Sequence, residues 1–326
     1  MDRVEIVKEK WDYLIILDAC RYDYFESLYR DYLDGNLTKR ISIGSSTNEW
    51  RDRSFPDYYE DIVYISANPQ FSIGSEVYGF IAGEHFHKVY EIWKTGWDKE
   101  KGTVLPETLT KMAIDIIKKT TEKRFIIHYL QPHAPYLSLG ERSKGYVNAD
   151  INTQRKVIGV KENKGLSPVK QVLFKKLLKL FKNNNILTNR PDWVLRKFLR
   201  LPPEKPMELG WRNAGKEGLR QAYKANLQAV LKQVTGLTKH LSGRIVITSD
   251  HGELLGESNL FGHSTGSNNP IQTEIPWLVM EKHEQVMETE IIAVEEKPAE
   301  GTSVSDETKN AQQELTEKLR ALGYYD

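Results

Sequence analysis

The sequence is poor in cysteine, has no long apolar run and carries almost no net charge. Its single cysteine among 326 residues, Cys20, excludes an intramolecular disulfide framework and favours a reducing compartment. The formal charge of +1 gives no overall attraction to nucleic acid, so we expect no nucleic-acid partner. No segment approaches the roughly 18 apolar residues of a membrane-spanning helix. The charged first ten residues contain no apolar leader, so we expect a cytoplasmic location.

What the sequence does contain is two apolar runs that end in metal-ligating side chains. Residues 244–248 lead into Asp250 and His251, and residues 13–17 lead into Asp18. Open α/β sheets build their sites at the carboxyl ends of such strands. Two carboxylates and an imidazole could converge on one divalent cation. This ligand set suits Zn²⁺ or Mn²⁺, whereas Mg²⁺ or Ca²⁺ would be favoured if the remaining ligands were all oxygen atoms. Alternatively, Asp18 could cap the helix predicted to follow it.

Strands and helices alternate along most of the chain. The strands are apolar along their length, which is typical of a mainly parallel sheet that is buried on both faces. The sequence therefore predicts an α/β fold, a three-layer sandwich with a mainly parallel central sheet. Strands are predicted at 14–18, 40–43, 61–66, 88–93, 124–130, 244–248 and 275–280, and helices at 21–33, from 48, and at 106–119, 218–241 and 306–322.

Residues 137–215 do not follow this alternation. The segment has no convincing strand, many basic residues and several prolines, so we predict one domain over 1–326 with a helical insertion, or cap, at 137–215. Helices around 169–181 and 193–201 would each have an apolar stripe on one face and basic residues on the opposite face. We favour packing of that stripe on the main domain. Peripheral membrane contact, or contact with a lipid-linked substrate, through 169–201 is the alternative.

A hydroxyl-rich turn and two histidines are the remaining candidates for chemistry. Ser45, Ser46 and Thr47 follow Gly44 at a predicted helix start, where backbone N–H groups can hold an anion. A hydroxyl becomes a nucleophile only beside a base or a metal, and a cation would supply that activation. His133 and His263 could bind substrate oxygens or protonate the leaving group. Helix capping and ordinary loop contacts are the structural alternatives. Three further histidines are expected to be structural: His85, His87 and His128.

Taken in this order, these segments resemble the alkaline phosphatase superfamily, and most closely its sulfatase-like branch. The resemblance extends from about Trp11 to Tyr325, outside the insertion. Its most specific segment is Ser249-Asp250-His251-Gly252-Glu253, with Gly262-His263 after it. The other segments that support it are the strand ending in Asp18, the Ser/Thr turn, Gln131-Pro132-His133-Ala134-Pro135-Tyr136, Tyr223-Lys224-Ala225-Asn226-Leu227 and Leu319-Arg320-Ala321-Leu322-Gly323-Tyr324.

The resemblance implies an alkaline-phosphatase-like fold and specific roles for the candidate residues. It implies a divalent metal held by Asp18, Asp250 and His251, and a nucleophile within residues 45–47. Thr47 is the preferred nucleophile because a helix-opening segment comes directly after it. Ser46 is the fallback nucleophile and is assigned to substrate binding with His263, and the resemblance implies a catalytic role for His133.

The sequence departs from the family pattern in two ways. The Cys/Ser-x-Pro-Ser-Arg segment that sulfatases convert to formylglycine is absent. Tyr129 and Leu137 stand where two-metal relatives add further ligands around His133, so a second metal is left open. We therefore expect a metal-dependent hydrolase or transferase acting on phosphate mono- or diesters of small molecules, glycans or lipid-linked compounds. The alternatives are a sulfohydrolase with a non-standard nucleophile and a non-catalytic binding module that keeps the fold.

Overall fold

The computed structural model describes residues 3–120, 123–139, 191–198, 203, 205–282 and 304–324. Apolar β-branched runs form the strands in the middle of its main sheet. The strands are β1 (Tyr13–Leu17), β2 (Asn36–Ile41), β3 (Tyr59–Ser66), β4 (Phe86–Glu91), β5 (Trp97–Asp98), β6 (Thr103–Val104), β7 (Arg124–Tyr129), β8 (Gly243–Thr248), β9 (Leu254–Glu257), β10 (Leu260–Gly262) and β11 (Glu274–Lys282).

Amphipathic segments between the strands form the helices. They are α1 (Tyr22–Leu28), α2 (Thr47–Ser54), α3 (Ile92–Thr95), α4 (Pro106–Lys119), α5 (Pro191–Phe198), α6 (Pro206–Leu237), α7 (Pro270–Thr273) and α8 (Val304–Leu322). Within the ranges that the structure describes, no helix has the length and apolar character needed to cross a membrane.

Seven of the strands form the central sheet, in the order β2-β11-β8-β1-β7-β3-β4. The β8-β1-β7-β3-β4 neighbours are all parallel, and β11 is antiparallel to both of its neighbours. The mainly parallel α/β sheet predicted from the sequence is thus confirmed.

Both faces of the sheet are buried, which explains why the strand sequences lack polar alternation. On β1, Ile15 and Leu17 pack into a core that includes residues of α1, α4, α6 and α8. Leu14 and Ile16 face the opposite core, which includes Trp50 of α2. Each strand therefore contributes apolar side chains to two layers, as a three-layer arrangement requires.

Several element boundaries differ from the prediction. The strand expected at 88–93 ends at Glu91, and Ile92 begins the short α3. The helix expected from Gly218 begins at Pro206, with a non-helical break at Gly215. The β9–β10 hairpin was not predicted, because its polar and glycine-containing sequence has no strand periodicity. The predicted helix at 169–181 lies outside the described residues, so the domain division at 137–215 stays a prediction.

Candidate active site

The carboxyl ends of β1 and β8 bring the predicted metal ligands to one edge of the sheet. The register pairs Ile16 with Thr248, so Asp18 and Asp250 leave the sheet side by side. Between them the backbone of Ala19 adopts a left-handed conformation with φ 57°, and its N–H donates to Asp250 Oδ1 at 3.0 Å. Such a conformation is costly for a residue with a Cβ. Here it ties the two strand ends together.

Asp250 and His251 form one side of the buried site. Asp250 Oδ2 lies 3.4 Å from His251 Nε2, and Asp18 Oδ1 lies 4.0 Å from the same nitrogen. His251 Nδ1 lies 2.9 Å from the carbonyl oxygen of Gly252. Because a carbonyl only accepts, Nδ1 carries a proton, and Nε2 is the ring nitrogen that faces both carboxylates. A metal-ligating imidazole is held in this way.

The opposite side of the site is formed by Asp18, which is fully buried. Its Oδ2 accepts hydrogen bonds from Asn68 Nδ2 at 2.7 Å and from the Tyr324 hydroxyl at 2.8 Å. Its Oδ1 has no hydrogen-bond partner among the residues that the structure describes. A buried carboxylate oxygen in this position is satisfied when a ligand or a cation occupies the site.

Thr47 completes this cluster. It is the first residue of α2 and is fully buried. Its Oγ1 donates to Asp250 Oδ2 at 2.7 Å and lies 3.2 Å from His251 Nε2. The first N–H groups of a helix lack intrahelical partners, so they can bind an anion close to this hydroxyl. We call Asp18, Thr47, Asp250 and His251 the inner group.

The two serines before Thr47 make different contacts. Ser46 Oγ lies 2.7 Å from Asn48 Oδ1 and 2.9 Å from Thr265 Oγ1. Ser45 Oγ lies 2.8 Å from Glu49 Oε2. Both hydroxyls are therefore engaged with the start of α2 and the loop around residue 265, while Thr47 is the hydroxyl that meets the buried carboxylates.

Two glycines allow these turns to pack. A Cβ on Gly44 would lie 2.3 Å from the backbone nitrogen of Trp50, and one on Gly252 would lie 2.0 Å from the carbonyl oxygen of Ile271. Neither distance is compatible with a side chain. Glycine is therefore required both before Thr47 and directly after His251.

A second cluster, the outer group, consists of His133, Glu253 and His263. Glu253 Oε1 lies 3.1 Å from His263 Nδ1 and 3.8 Å from His133 Nε2. The ring of His263 lies 4.2 Å from that of His251, and the ring of His133 lies 5.6 Å from that of His263. The Nδ1 of His133 donates to the carbonyl of Ala134, which leaves its Nε2 facing the cluster. The structure thus brings both predicted histidines to the inner group.

A pocket beside the outer group involves the described part of the 137–215 segment. The pocket is lined by His133 and His263, and also by Trp193 and Lys205. The ring of Trp193 lies 5.1 Å from that of Phe261. This part of the segment therefore lies next to the histidines.

Helix α6 contacts the two loops that carry Asp18 and His133. The Tyr223 hydroxyl donates to the carbonyl of Ala19 at 2.7 Å and accepts from the N–H of Arg21 at 2.9 Å. Asn226 donates to the carbonyl of His133 at 3.2 Å and accepts from the N–H of Leu137 at 2.8 Å. The Tyr223–Leu227 segment of the family resemblance thus fixes the loops after β1 and β7.

Electrostatics in the inner group favour a cation. Burial, followed by repulsion from Asp250, raises the pKa of Asp18 well above its usual range. Burial also opposes ionisation of Asp250, but His251 and the hydrogen bonds from Thr47 and Ala19, acting with His128, together lower the pKa of Asp250. Burial opposes protonation of His251, yet the two carboxylates raise its pKa. Two buried carboxylates beside one imidazole attract a positive ion.

The outer group differs in charge. Burial raises the pKa of Glu253. Burial, followed by repulsion from His251, holds the pKa of His263 well below its usual range. His263 is therefore neutral at neutral pH.

Sequence reasoning missed four residues of the site: Asn68, His128, Glu253 and Tyr324. His128 was expected to be a structural strand residue, and it is fully buried on β7. Its Nδ1 is bonded to the Tyr64 hydroxyl at 2.8 Å, while its Nε2 lies 3.8 Å from Asp18 Oδ2. Burial lowers the pKa of His128 to about 4, so the ring is neutral and faces the inner group.

Among the described residues, two sets of side chains could hold a metal ion. Within each set the ligand atoms all lie within 4.8 Å of one another: Asp18, His128 and Asp250 in one, and His133, Glu253 and His263 in the other. Glu253 could have been found, because it belongs to the Ser-Asp-His-Gly-Glu segment. His85 and His87 belong to neither set.

Comparisons with known proteins match the chain to one family and to several solved structures. The family model described as Sulfatase matches residues 42–297, and comparison with curated proteins finds no match. Similar solved structures include the soluble domain of lipooligosaccharide phosphoethanolamine transferase A from Neisseria meningitidis, at 12% identity over 82% of this chain and 75% of that one, with a TM-score of 0.44.

Two further structures have similar scores. The C-terminal periplasmic domain of EcEptC from Escherichia coli, in complex with Zn, is 13% identical over 84% of this chain and 74% of that one, with a TM-score of 0.45. A protein in the alkaline phosphatase superfamily from Vibrio parahaemolyticus is 12% identical over 84% of this chain and 60% of that one, with a TM-score of 0.42.

The predicted cytoplasmic location is wrong, because the similar structures include periplasmic domains from Escherichia coli and Campylobacter jejuni. The prediction rested on a single cysteine and on charged first residues. A domain that needs no disulfide to fold can reside in either compartment, so these features do not identify the location.

Proposed function

The chain belongs to the sulfatase family of the alkaline phosphatase superfamily, and from this we propose that it is a metal-dependent phosphoesterase or phosphotransferase with Thr47 as its nucleophile. The observation that carries the proposal is the position of Thr47 Oγ1, 2.7 Å from Asp250 Oδ2 and 3.2 Å from His251 Nε2. A hydroxyl at the start of a helix, beside a carboxylate and an imidazole, has both a proton acceptor and an anion-binding site next to it.

The inner group fits a divalent cation. In the described parts of the chain, Asp18 Oδ1 and the Nε2 of His128 beside the group are buried and have no hydrogen-bond partner, and His251 Nε2 faces both carboxylates. Asp18, Asp250 and His251 would hold the ion. Carboxylates combined with imidazole suit Zn²⁺ or Mn²⁺ better than Mg²⁺ or Ca²⁺. When bound, such an ion supplies a lower hydroxyl pKa and neutralises charge on phosphoryl oxygens.

The residues of the inner group perform the first half of the reaction. Thr47 Oγ1 attacks phosphorus in line, and its proton passes to Asp250 Oδ2, the carboxylate oxygen to which it donates a hydrogen bond. A bond forms between Oγ1 and phosphorus as the bond from phosphorus to the leaving oxygen breaks. The product is a phosphothreonine, which water or an acceptor hydroxyl then resolves.

The outer group handles the leaving oxygen. His133 Nε2 is the free ring atom, because Nδ1 donates to a backbone carbonyl, and it delivers a proton to the departing oxygen. His263 is neutral, so it binds substrate through its second ring nitrogen and does not act as the acid. We also propose that the 137–215 segment forms a cap, since Trp193 and Lys205 line the pocket beside both histidines.

The identity of the nucleophile favours phosphate esters over sulfate esters. The threonine hydroxyl can attack phosphorus. A threonine sulfate ester, however, would not break down as readily as the sulfate ester of formylglycine does. The family match itself favours a second candidate, hydrolysis of sulfate esters with threonine as an unusual nucleophile.

The test combines metal analysis with turnover. Purified protein is analysed for bound elements and then assayed with aryl phosphate monoesters, aryl phosphate diesters and aryl sulfates. We expect one tightly bound divalent metal and turnover of a phosphate ester that a chelator abolishes. Turnover of aryl sulfate alone would favour the second candidate. Protein that binds no metal and turns over none of these substrates would instead indicate a binding module.

A further inference from the structure

Tyr324 contacts the inner group from the opposite end of the chain. It follows Gly323, which ends α8 with φ 86°. The Tyr324 hydroxyl donates to Asp18 Oδ2 at 2.8 Å and accepts from Asn68 Nδ2 at 3.0 Å, while Asn68 donates to the same carboxylate oxygen at 2.7 Å. Three polar groups thus form a closed triangle in which two donors occupy Asp18 Oδ2.

The rest of Tyr324 is also held in place. Its ring stacks on His133 with centroids 5.4 Å apart and planes inclined by 18°. Its carbonyl oxygen accepts a hydrogen bond from the Tyr78 hydroxyl. Tyr324 therefore touches the inner group through its hydroxyl and the outer group through its ring.

We propose that Tyr324 is a positioning residue for both groups, an inference that rests on the proposed function. With Oδ2 held by Tyr324 and Asn68, the Asp18 carboxylate cannot rotate without breaking two hydrogen bonds. Its Oδ1, which has no hydrogen-bond partner within the described ranges, is then directed towards the proposed metal position. Partners of this kind orient metal ligands, and their loss typically costs about 10–100-fold in metal affinity or activity.

The stacked ring adds a second, separable effect. An aromatic face against the imidazole fixes the plane of His133, whose Nε2 delivers the proton. Tyr324→Phe removes only the hydroxyl and keeps the ring, whereas Tyr324→Leu removes both. Tyr58→Phe is the matched control, because Tyr58 is exposed and loses the same hydroxyl away from the site.

The experiment measures the Zn²⁺ dissociation constant of the full chain by chelator competition, and kcat and KM on the best phosphate ester. We expect Tyr324→Phe to bind Zn²⁺ about 10–100-fold more weakly, with kcat recovered at saturating Zn²⁺ and metal-free unfolding unchanged. Tyr324→Leu should retain a kcat defect even at saturating Zn²⁺, because the plane of His133 is no longer fixed. Tyr58→Phe should match the wild type throughout.

Asp250→Asn separates this inference from the proposed function. If Tyr324→Phe binds Zn²⁺ within twofold of the wild type while Asp250→Asn binds weakly, the positioning role is overturned and the proposed function stands. If Asp250→Asn also binds like the wild type, both are overturned. A kcat defect of the same size in Tyr324→Phe and Tyr324→Leu at saturating Zn²⁺ would contradict the separate role of the ring.

Discussion

The side chains of the inner group are fully buried, whereas the two histidines of the outer group are slightly exposed to solvent. The side chains of Asp18, Asp250 and His251 are 0% exposed; in the outer group Glu253 is 2%, His133 6% and His263 14% exposed. The inner group contains two carboxylates and one imidazole, and the outer group has the reverse ratio. Charged groups that are buried away from water interact more strongly with one another. The inner group is thus suited to hold a cation, and the outer group to exchange protons with a substrate.

The two groups also differ in how they are held. Asp250 is fixed by the backbone N–H groups of Ala19 and His251, which lie just beyond β1 and β8, and by the Thr47 hydroxyl. His133 and His263 lie on loops, and Nδ1 contacts fix their rings. Substitutions in one group should therefore change metal binding, and substitutions in the other should change proton transfer.

The largest expected effect is that of Thr47→Ala. Removal of the attacking oxygen should lower kcat by at least about 10³-fold, because no other hydroxyl among the described residues contacts Asp250 Oδ2 and His251 Nε2. Metal content should be unchanged, since the carboxylates and imidazole remain. Mass spectrometry after a short incubation with substrate should find one added phosphoryl group in the wild type only.

Ser46→Ala is the matched control for this substitution. Its hydroxyl is engaged with Asn48 and Thr265, so the phosphoryl adduct should still form. If Ser46→Ala loses the adduct and Thr47→Ala keeps it, the nucleophile is Ser46. If both variants retain full activity, the proposed mechanism is wrong.

The next effect is on proton transfer in the outer group. His133→Gln should lower kcat by about 10²–10⁴-fold on a substrate with a poor leaving group, because no proton reaches the departing oxygen. The loss should shrink with nitrophenyl esters, whose leaving group needs no proton, and metal content should stay at the wild-type value. An equal loss on both kinds of substrate would argue against His133 as the acid.

The positions of the three proposed metal ligands could be predicted from the ends of the apolar strands. Asp18, Asp250 and His251 come directly after apolar runs, and parallel strands deliver the residues beyond their carboxyl ends to one edge of the sheet. Thr47 could be ranked above its neighbours only by resemblance, since sequence alone does not show which of three hydroxyls points inwards.

The contributions of His128 and Tyr324 could not be predicted, for two physical reasons. On a strand buried on both faces, apolar neighbours conceal a polar side chain such as His128. Tyr324 reaches Asp18 from 306 positions away, and such a contact depends on how α8 packs. Asn68 escaped prediction likewise, because its contact with Asp18 depends on how the loop after β3 packs.

The third effect concerns metal binding alone. Asp250→Asn should weaken Zn²⁺ binding by at least about 100-fold, or roughly 3 kcal/mol, because a ligand charge is lost. In the metal-free variant, relief of the repulsion from Asp18 offsets part of the stability that ionised Asp250 contributes, so the change in unfolding temperature should be small beside the loss of Zn²⁺ affinity. Calorimetric titration and thermal unfolding measure the two quantities. A large loss of metal-free stability with unchanged affinity would make Asp250 a structural residue.

The smallest effect is the pH dependence of the metal-free protein. The pKa of folded Asp18 is raised, so the stability contributed by its proton is present below the unfolded pKa of about 3.9 and is lost as pH rises towards the folded pKa. Asn cannot titrate, so Asp18→Asn should gain stability relative to the wild type as pH rises above about 4. Each unit of pKa difference is worth about 1.4 kcal/mol.

Asp61→Asn provides a control of opposite sign for this last experiment. A hydrogen bond from Arg124 lowers the pKa of Asp61, so ionised Asp61 stabilises the fold above its unfolded pKa and loses that effect as pH falls. The Asn variant should therefore be less stable than the wild type above about pH 4, and this difference should shrink as pH falls below about 4. Thermal unfolding between about pH 2 and 8 with chelator present measures both differences. Parallel curves for Asp18→Asn and the wild type would show that Asp18 carries no raised pKa, and the charge contrast between the inner and outer groups would then be smaller than the contacts indicate.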